Sequence, residues 1–218
     1  MGQNIDGFFE CFPLNGKDYA GYNHKLCKVT STEERIQYAK ECASRDLEER
    51  IEQNLLILLH DRSPLIQAEA ADSLSLYCSE KVYYALMEKS SSRYVLVRAY
   101  SFRGLGYVTP EPYQLKAIQF LQKHLIKEKA VFVKIQICLA LCSLKVDCLA
   151  DLTALFNRCG YRNRCAILHG IADLLEENCN LNIDKIQCFL NQCRIAESNV
   201  AVLSAKKRLE EVLTNSYF

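Results

Sequence analysis

The chain has 218 residues, half of them hydrophobic and about a quarter charged, the composition of a folded protein long enough for one elongated domain or two small ones. It carries only eight Gly and four Pro, too few turn-formers for an all-β domain. The net charge of +1 implies by itself no preference for nucleic acid or membrane, and no run of eighteen apolar residues offers a membrane span.

The charge is unevenly placed. Residues 1–90 hold 10 Lys+Arg and 15 Asp+Glu, a net of −5, whereas residues 91–218 hold 17 and 11, a net of +6. The opening MGQNIDGFFECF is broken by Asp6 and Glu10 and does not read as a secretory signal. The twelve Cys are therefore expected to be reduced thiols in a cytoplasmic protein, with Cys138, Cys142, Cys165 and Cys188 serving as small hydrophobes in helical stripes.

Residues 1–30 stand apart. Phe8, Phe9, Phe12, Tyr19 and Tyr22 lie among Gly, Asn and Asp without a clear period, which predicts an irregular aromatic arm packed on the remainder. From residue 31 the pattern turns helical. Thr32 with Glu33 and Glu34 reads as a helix start, and Ile36, Ala39, Lys40 and Ala43 follow at helical spacing. Ile51, Leu55, Leu58 and Leu59 form the next stripe. Ser63-Pro64 and Thr109-Pro110-Glu111 read as two further starts, the second feeding a stripe of Leu115, Ile118, Leu121 and Leu125.

Internal repetition organises the chain. IQAEAADSLSL from Ile66, VRAYSFRGLGY from Val97, VKIQICLALCS from Val133, NRCAILHGIAD from Asn163 and AVLSAKKRLEE from Ala201 can be laid over one another. In most of them the fifth, eighth and ninth places are small or apolar, as in Ala70, Ser73 and Leu74, or Ile167, Gly170 and Ile171. An amphipathic helix precedes each block, so each unit is a helix pair. One pair cannot bury its own apolar stripe, and stacked neighbours can. The expected fold is all-α: a right-handed α-α superhelix of about five pairs over residues 31–218, preceded by the arm.

DRSPLIQAEAADSLSL (Asp61 to Leu76) and SSRYVLVRAYSFRGLGYV (Ser91 to Val108) resemble HEAT repeats, including the HEAT-like type of the phycobilin lyases. The resemblance rests on an Asp and a Pro before the helix, on Val97-Arg98, and on Gly104-Leu105-Gly106. It implies an α-solenoid and a ladder of Asp–Arg contacts between adjacent repeats. Arg98 fits the ladder position, Lys134 and Arg164 fit it by charge, and Gln67 and Val202 depart from it.

Reactive constellations are weak. His24, His60, His124 and His169 make no zinc pattern with Cys, and no Cys-x-x-Cys occurs. Cys138 and Cys142 share a helix face, as a buried stripe would, and Cys165 and His169 stand one turn apart without an orienting third group. Gly104-x-Gly106 ends a helix pattern and is no phosphate loop. A resemblance to alkylpurine DNA glycosylases, which are HEAT-like, fails on the absence of Trp. No catalytic, cofactor or metal residues are assigned.

If the five blocks line the concave side, their fourth and seventh places face the groove. These include Glu69, Tyr100 and Gln136 at the fourth, and Asp72, Arg103, His169 and Lys207 at the seventh. The row runs from acidic to basic. The leading expectation is a non-enzymatic, monomeric protein–protein interaction module. Two alternatives remain: a nucleic-acid-binding solenoid using Arg98, Arg103, Lys134, Arg162, Arg164 and Lys206 to Arg208, and an immunity or accessory protein for one cognate partner.

Overall fold

A computed structural model describes residues 19–44, 48–177, 181–193 and 199–215, with side chains from Asn23 onward. The aromatic residues Phe8, Phe9 and Phe12, and the side chains of Tyr19 and Tyr22, lie outside that description. The described residues form helices and no strand. The chain divides into two compact units, Met1–Glu111 and Pro112–Phe218, where the sequence suggests one array over 31–218.

The first unit contains α1 (Tyr19–Val29), α2 (Thr32–Cys42), α3 (Glu49–Leu58), α4 (Pro64–Leu74), α5 (Glu80–Lys89) and α6 (Val95–Val108). Among successive helices α2 packs on α3, α3 on α4 and α5 on α6. The even helices form one row, α2 on α4 on α6, and the odd helices a second, α1 on α3 on α5. The core between the rows holds Leu26, Leu55, Leu59, Ile66, Leu74, Tyr83, Leu86 and Phe102, all fully buried. Each such aliphatic side chain contributes about 1.5–3 kcal/mol relative to exposure.

The start of this unit departs from expectation. Residues 19–29 are a three-turn helix, not irregular chain, because Leu26 is fully buried and Asn23 donates from Nδ2 to the carbonyl of Ile57 on α3. The cap of α2 is Ser31, not Thr32. Ser31 Oγ accepts from Glu34 N at 3.1 Å while Glu34 Oε2 accepts from Ser31 N, a reciprocal capping box. The buried face of α2 is Arg35, Tyr38, Ala39 and Cys42, one step round from the stripe read through Ile36, Lys40 and Ala43. Ser63 sits at the expected cap of α4 with Pro64 in its first turn, but its hydroxyl makes no cap bond; Asp61 Oδ1 accepts from Ser63 N instead.

A 3-10 turn, Glu111–Tyr113, runs across the boundary into the second unit, which contains α7 (Gln114–Lys127), α8 (Val131–Ser143), α9 (Leu149–Phe156), α10 (Tyr161–Glu176), α11 (Ile183–Gln192) and α12 (Val200–Asn215). Thr109 therefore ends α6 and does not open the next helix. Its hydroxyl bonds back to the carbonyl of Leu105. Here α8, α10 and α12 form one row and α9 packs on α11, while α7 packs on α8. Phe156 and Phe189 meet edge to face at 6.1 Å between α9 and α11, an arrangement that adds about 0.5–1.5 kcal/mol to area burial. The stripe read on α7 is only partly a core stripe: Leu121 is buried, but Leu115 is 78 % exposed.

All five repeat blocks lie in one row type. They begin at the third residue of α4, α6, α8 and α10 and at the second of α12. Two eighth-place glycines explain the small-residue signal. A Cβ on Gly170 of α10 would stand 2.3 Å from Leu139 Cδ1 of α8, and one on Gly104 of α6 would stand 2.8 Å from Leu86 Cδ1 of α5. Both glycines make room for a leucine on a neighbouring helix.

Candidate interaction surface

In three of the five blocks, on α4, α6 and α10, the second place is occupied by a side chain that turns back to the end of the preceding segment. Gln67 Nε2 donates to the carbonyl of Asp61, Arg98 Nη1 to that of Ser92 at 2.8 Å, and Arg164 Nε to that of Phe156 at 3.2 Å. The same device occurs one repeat earlier, where Arg35 Nη1 donates to the carbonyl of Thr30 at 2.8 Å. Gln67, which breaks the arginine pattern in sequence, thus serves like its neighbours.

Arg35 also carries the one buried Asp–Arg link among the described residues. Its Nε donates to Asp61 Oδ2 at 2.9 Å, with side-chain exposures of 6 % and 0 %. The other oxygen of Asp61, Oδ1, accepts from the N–H of Ser63, and the thiol of Cys27 approaches Oδ2 at 3.7 Å. This pair was not singled out from sequence. The signal was present: Glu34-Arg35 falls 32 residues before Ile66-Gln67, the spacing of the later blocks.

With the row fixed from inside, its outer face follows. On α4 the spacing 4-3 places Leu65, Glu69 and Asp72 on one side, with Leu76 in the turn that follows, and on α6 the spacing 4-3-4 places Leu96, Tyr100, Arg103 and Tyr107 on one side. Asp72 is exposed, and Glu69, Tyr100 and Arg103 are half-buried. Leu65, Leu76 and Leu96 are 55 %, 43 % and 41 % exposed. The two helices pack together, so these residues form one patch: a charged centre between apolar ends. Lys40 of α2 reaches its edge, 3.9 Å from Glu69 Oε1. Burial pushes the Tyr100 phenol up, the carboxylates of Asp72 and Glu69 push it further, and Arg103 opposes them. The three charged residues therefore lie within electrostatic reach of Tyr100.

In the second unit the expected row is less complete. His169 and Lys207 are exposed. His169 Nδ1 lies 3.2 Å from Arg208 Nη1, and Arg208 also meets Asp173 at 2.9 Å and Glu176 at 2.7 Å. Lys207 pairs with Glu211 one turn along, at 3.4 Å. Gln136 is not on the surface at all. It is 3 % exposed, because α8 is buried without interruption from Ile135 to Cys142. A helix surrounded on all sides has no outward fourth place.

Cys138, Cys142 and Cys148 form a buried thiol cluster and are 0 %, 2 % and 5 % exposed, whereas Cys188, read from sequence as a small hydrophobe in a stripe, is exposed and Cys165 is only half-buried. The hydrogen bond to Cys148, and then burial, push the Cys142 thiol up; the bond to Cys138 is the largest cause lifting Cys148 to about 12. Thiols held protonated in this way are poor nucleophiles at neutral pH. Among the described residues no group of three or more His, Cys, Asp or Glu is arranged to hold a metal ion, and no helix is long and apolar enough to cross a membrane.

Comparison with protein-family models finds no match for the chain, and comparison with curated proteins finds none either.

Proposed function

We propose that the chain is a HEAT-like α-solenoid that binds another protein through the face of its even-numbered helices, without catalysing a reaction. The solenoid reading is supported by the alternating rows within each unit, by the repeated turn-back of the second-place side chain, and by the Arg35–Asp61 link between successive repeats. The binding reading is carried by one observation above the others: Glu69, Asp72, Tyr100 and Arg103 converge on a single patch bounded by exposed leucines. Tyr and Arg beside apolar anchors are the residue types that dominate protein interfaces. A monomeric, cytoplasmic protein with a single cognate partner fits this reading.

The structure weighs against the nucleic-acid alternative. Arg98 and Arg164 are bonded to backbone carbonyls, Arg208 meets two carboxylates, and Lys206 and Lys207 pair with Glu210 and Glu211. Phosphate binding would have to displace these contacts.

The test compares full-length protein carrying Tyr100→Ala with Arg103→Glu against wild type and against Lys28→Glu, a charge reversal on α1. Quantitative mass spectrometry of captured proteins should find a saturable partner held by wild type and Lys28→Glu and weakened at least about tenfold by the double variant. A partner retained equally by all three sinks the assignment of this face.

A further inference from the structure

Helix α7 is amphipathic, yet its apolar side is only half used. Its buried residues are Ala117 and Leu121. Leu115 and Ile126 are 78 % and 84 % exposed, and Ile118 and Leu125 are half-buried. At 3.6 residues per turn, Leu115, Gln119, Gln122 and Ile126 lie along one outward line, with Ile118 and Leu125 beside it on the side of Leu121. Leu115, Ile118, Gln122 and Leu125 keep the 3-4-3 spacing of a helix–helix seam, about 16 Å long.

The charges on α7 have one sign. Lys116, Lys123 and Lys127 are exposed on the opposite flank of that line, and none of the helix's fourteen residues is Asp or Glu. Glu111 and Glu128 stand just beyond its ends, and Glu128 is turned to the N–H groups of Lys129 and Ala130, both at 2.9 Å. His124, whose ring lies 4.3 Å from that of Phe120, titrates below its ordinary range, through burial first and then the charges of Lys123 and Lys127.

We infer that the outer face of α7 is a second docking site, and that its occupant is an acidic amphipathic helix of a partner protein. Leu115, Ile118, Leu125 and Ile126 supply the apolar contacts of a seam of the length that three turns of helix cover. The lysines supply complementarity to Asp or Glu along one edge of that helix. Their placement on one flank only suits a rod lying alongside α7; an anionic lipid surface would be met best by cations on both flanks. A second copy of α7 offers these lysines no carboxylate. This site is independent of the face of α4 and α6.

The test uses the full chain and a synthetic amphipathic helix with Leu at its seam positions and Glu beside them, followed by fluorescence anisotropy. A counterpart with Lys in place of Glu serves as the charge control. The Glu peptide should bind saturably and at least about tenfold more tightly than the Lys peptide, with affinity falling as salt rises. Leu115→Asp with Ile126→Asp should abolish binding, and circular dichroism should be unchanged because both residues are already in solvent. Lys116→Glu with Lys123→Glu and Lys127→Glu should invert the preference between peptides. Equal binding of both peptides, or no effect of the Asp substitutions, overturns the site. So does binding of phosphatidylserine vesicles in place of the peptide, or a dimer that the Asp substitutions dissociate.

Discussion

Ten of the eleven buried polar or charged side chains among the described residues lie in the first unit, from Asn23 to Thr109, and the second buries Gln136. Buried thiols run the other way: Cys42 in the first unit, against Cys138, Cys142, Cys148 and Cys193 in the second. Both units alternate helices between two rows, but they hold those rows by different means. The first relies on directional bonds between specific partners, the second on shape. Directional networks fail abruptly when one member is removed, because the survivor stays buried without compensation. Shape-based packing fails in proportion to the volume added or lost.

The largest effect is therefore expected at Asp61. Asp61→Ala leaves the Arg35 guanidinium 6 % exposed and facing no carboxylate at that site, at a cost of about 3–5 kcal/mol. Urea unfolding should detect it, and hydrogen exchange should locate it in α2, α4 and their turns, with amides of α8 and α10 keeping their protection. Replacing both partners, Arg35→Met with Asp61→Leu, should recover most of the loss, since no charge is then stranded. If the double replacement is as damaging as Asp61→Ala alone, the pair is not the element that closes these turns.

Shape dependence is tested by the same substitution at equivalent places. In the second unit, Gly170→Ala sets a methyl against three atoms of Leu139, at 2.3, 2.9 and 3.2 Å, and Leu139 is itself buried. Overpacking should cost about 1–3 kcal/mol, more than the helix-propensity gain of up to about 1 kcal/mol. In the first unit, Gly104→Ala meets only the end of Leu86 below 3.4 Å, so the two terms should nearly cancel. Placing Gly170→Ala on a Leu139→Ala background should remove its penalty. Equal costs at Gly104 and Gly170 would erase the distinction drawn between the units.

These cases also show what was legible in the sequence. The five blocks were readable because a small residue every turn or so is a local, periodic demand, and each block falls in one helix at nearly one register. Gly104 and Gly170 carry that demand visibly. Arg35 could have been aligned with Gln67 by its spacing, but its burial was not readable, since that depends on Asp61, 26 positions away. Gln136 was placed on the surface by extending the period to a helix that is buried on every side, and α7 misled in the reverse sense, its apolar period being present while its cover is not. Periodicity states which face a helix would bury; whether a neighbour is there to bury it is decided by the tertiary packing. Glu69, Asp72, Tyr100 and Arg103 were listed together because α4 and α6 keep the same register over 31 residues, and Tyr100 lies within electrostatic reach of the other three.

An effect smaller than those at Asp61 and Gly170 is expected at a turn of the second unit. Lys145 follows α8 with φ 65°, the one non-glycine residue at positive φ among the described residues. Its N–H bonds to the carbonyl of Cys142 at 3.0 Å and that of Val146 to Leu141 at 2.9 Å, the paired bonds that close a helix through a left-handed residue. A side chain there is strained by about 1–2 kcal/mol, and Lys145 is exposed, so no packing offsets the strain. Lys145→Gly relieves it and loses part of the gain to the greater entropy of glycine in the unfolded chain. The net should be a stabilisation of about 0.5–1 kcal/mol, read as a higher urea midpoint, while Lys145→Val should lower that midpoint because a β-branched residue tolerates this conformation least. Since neither variant alters a buried contact, both should act on the α8–α9 corner alone. A shift of the same size in the exchange of α2 and α4 would mean that the two units share more of their stability than their separate cores provide.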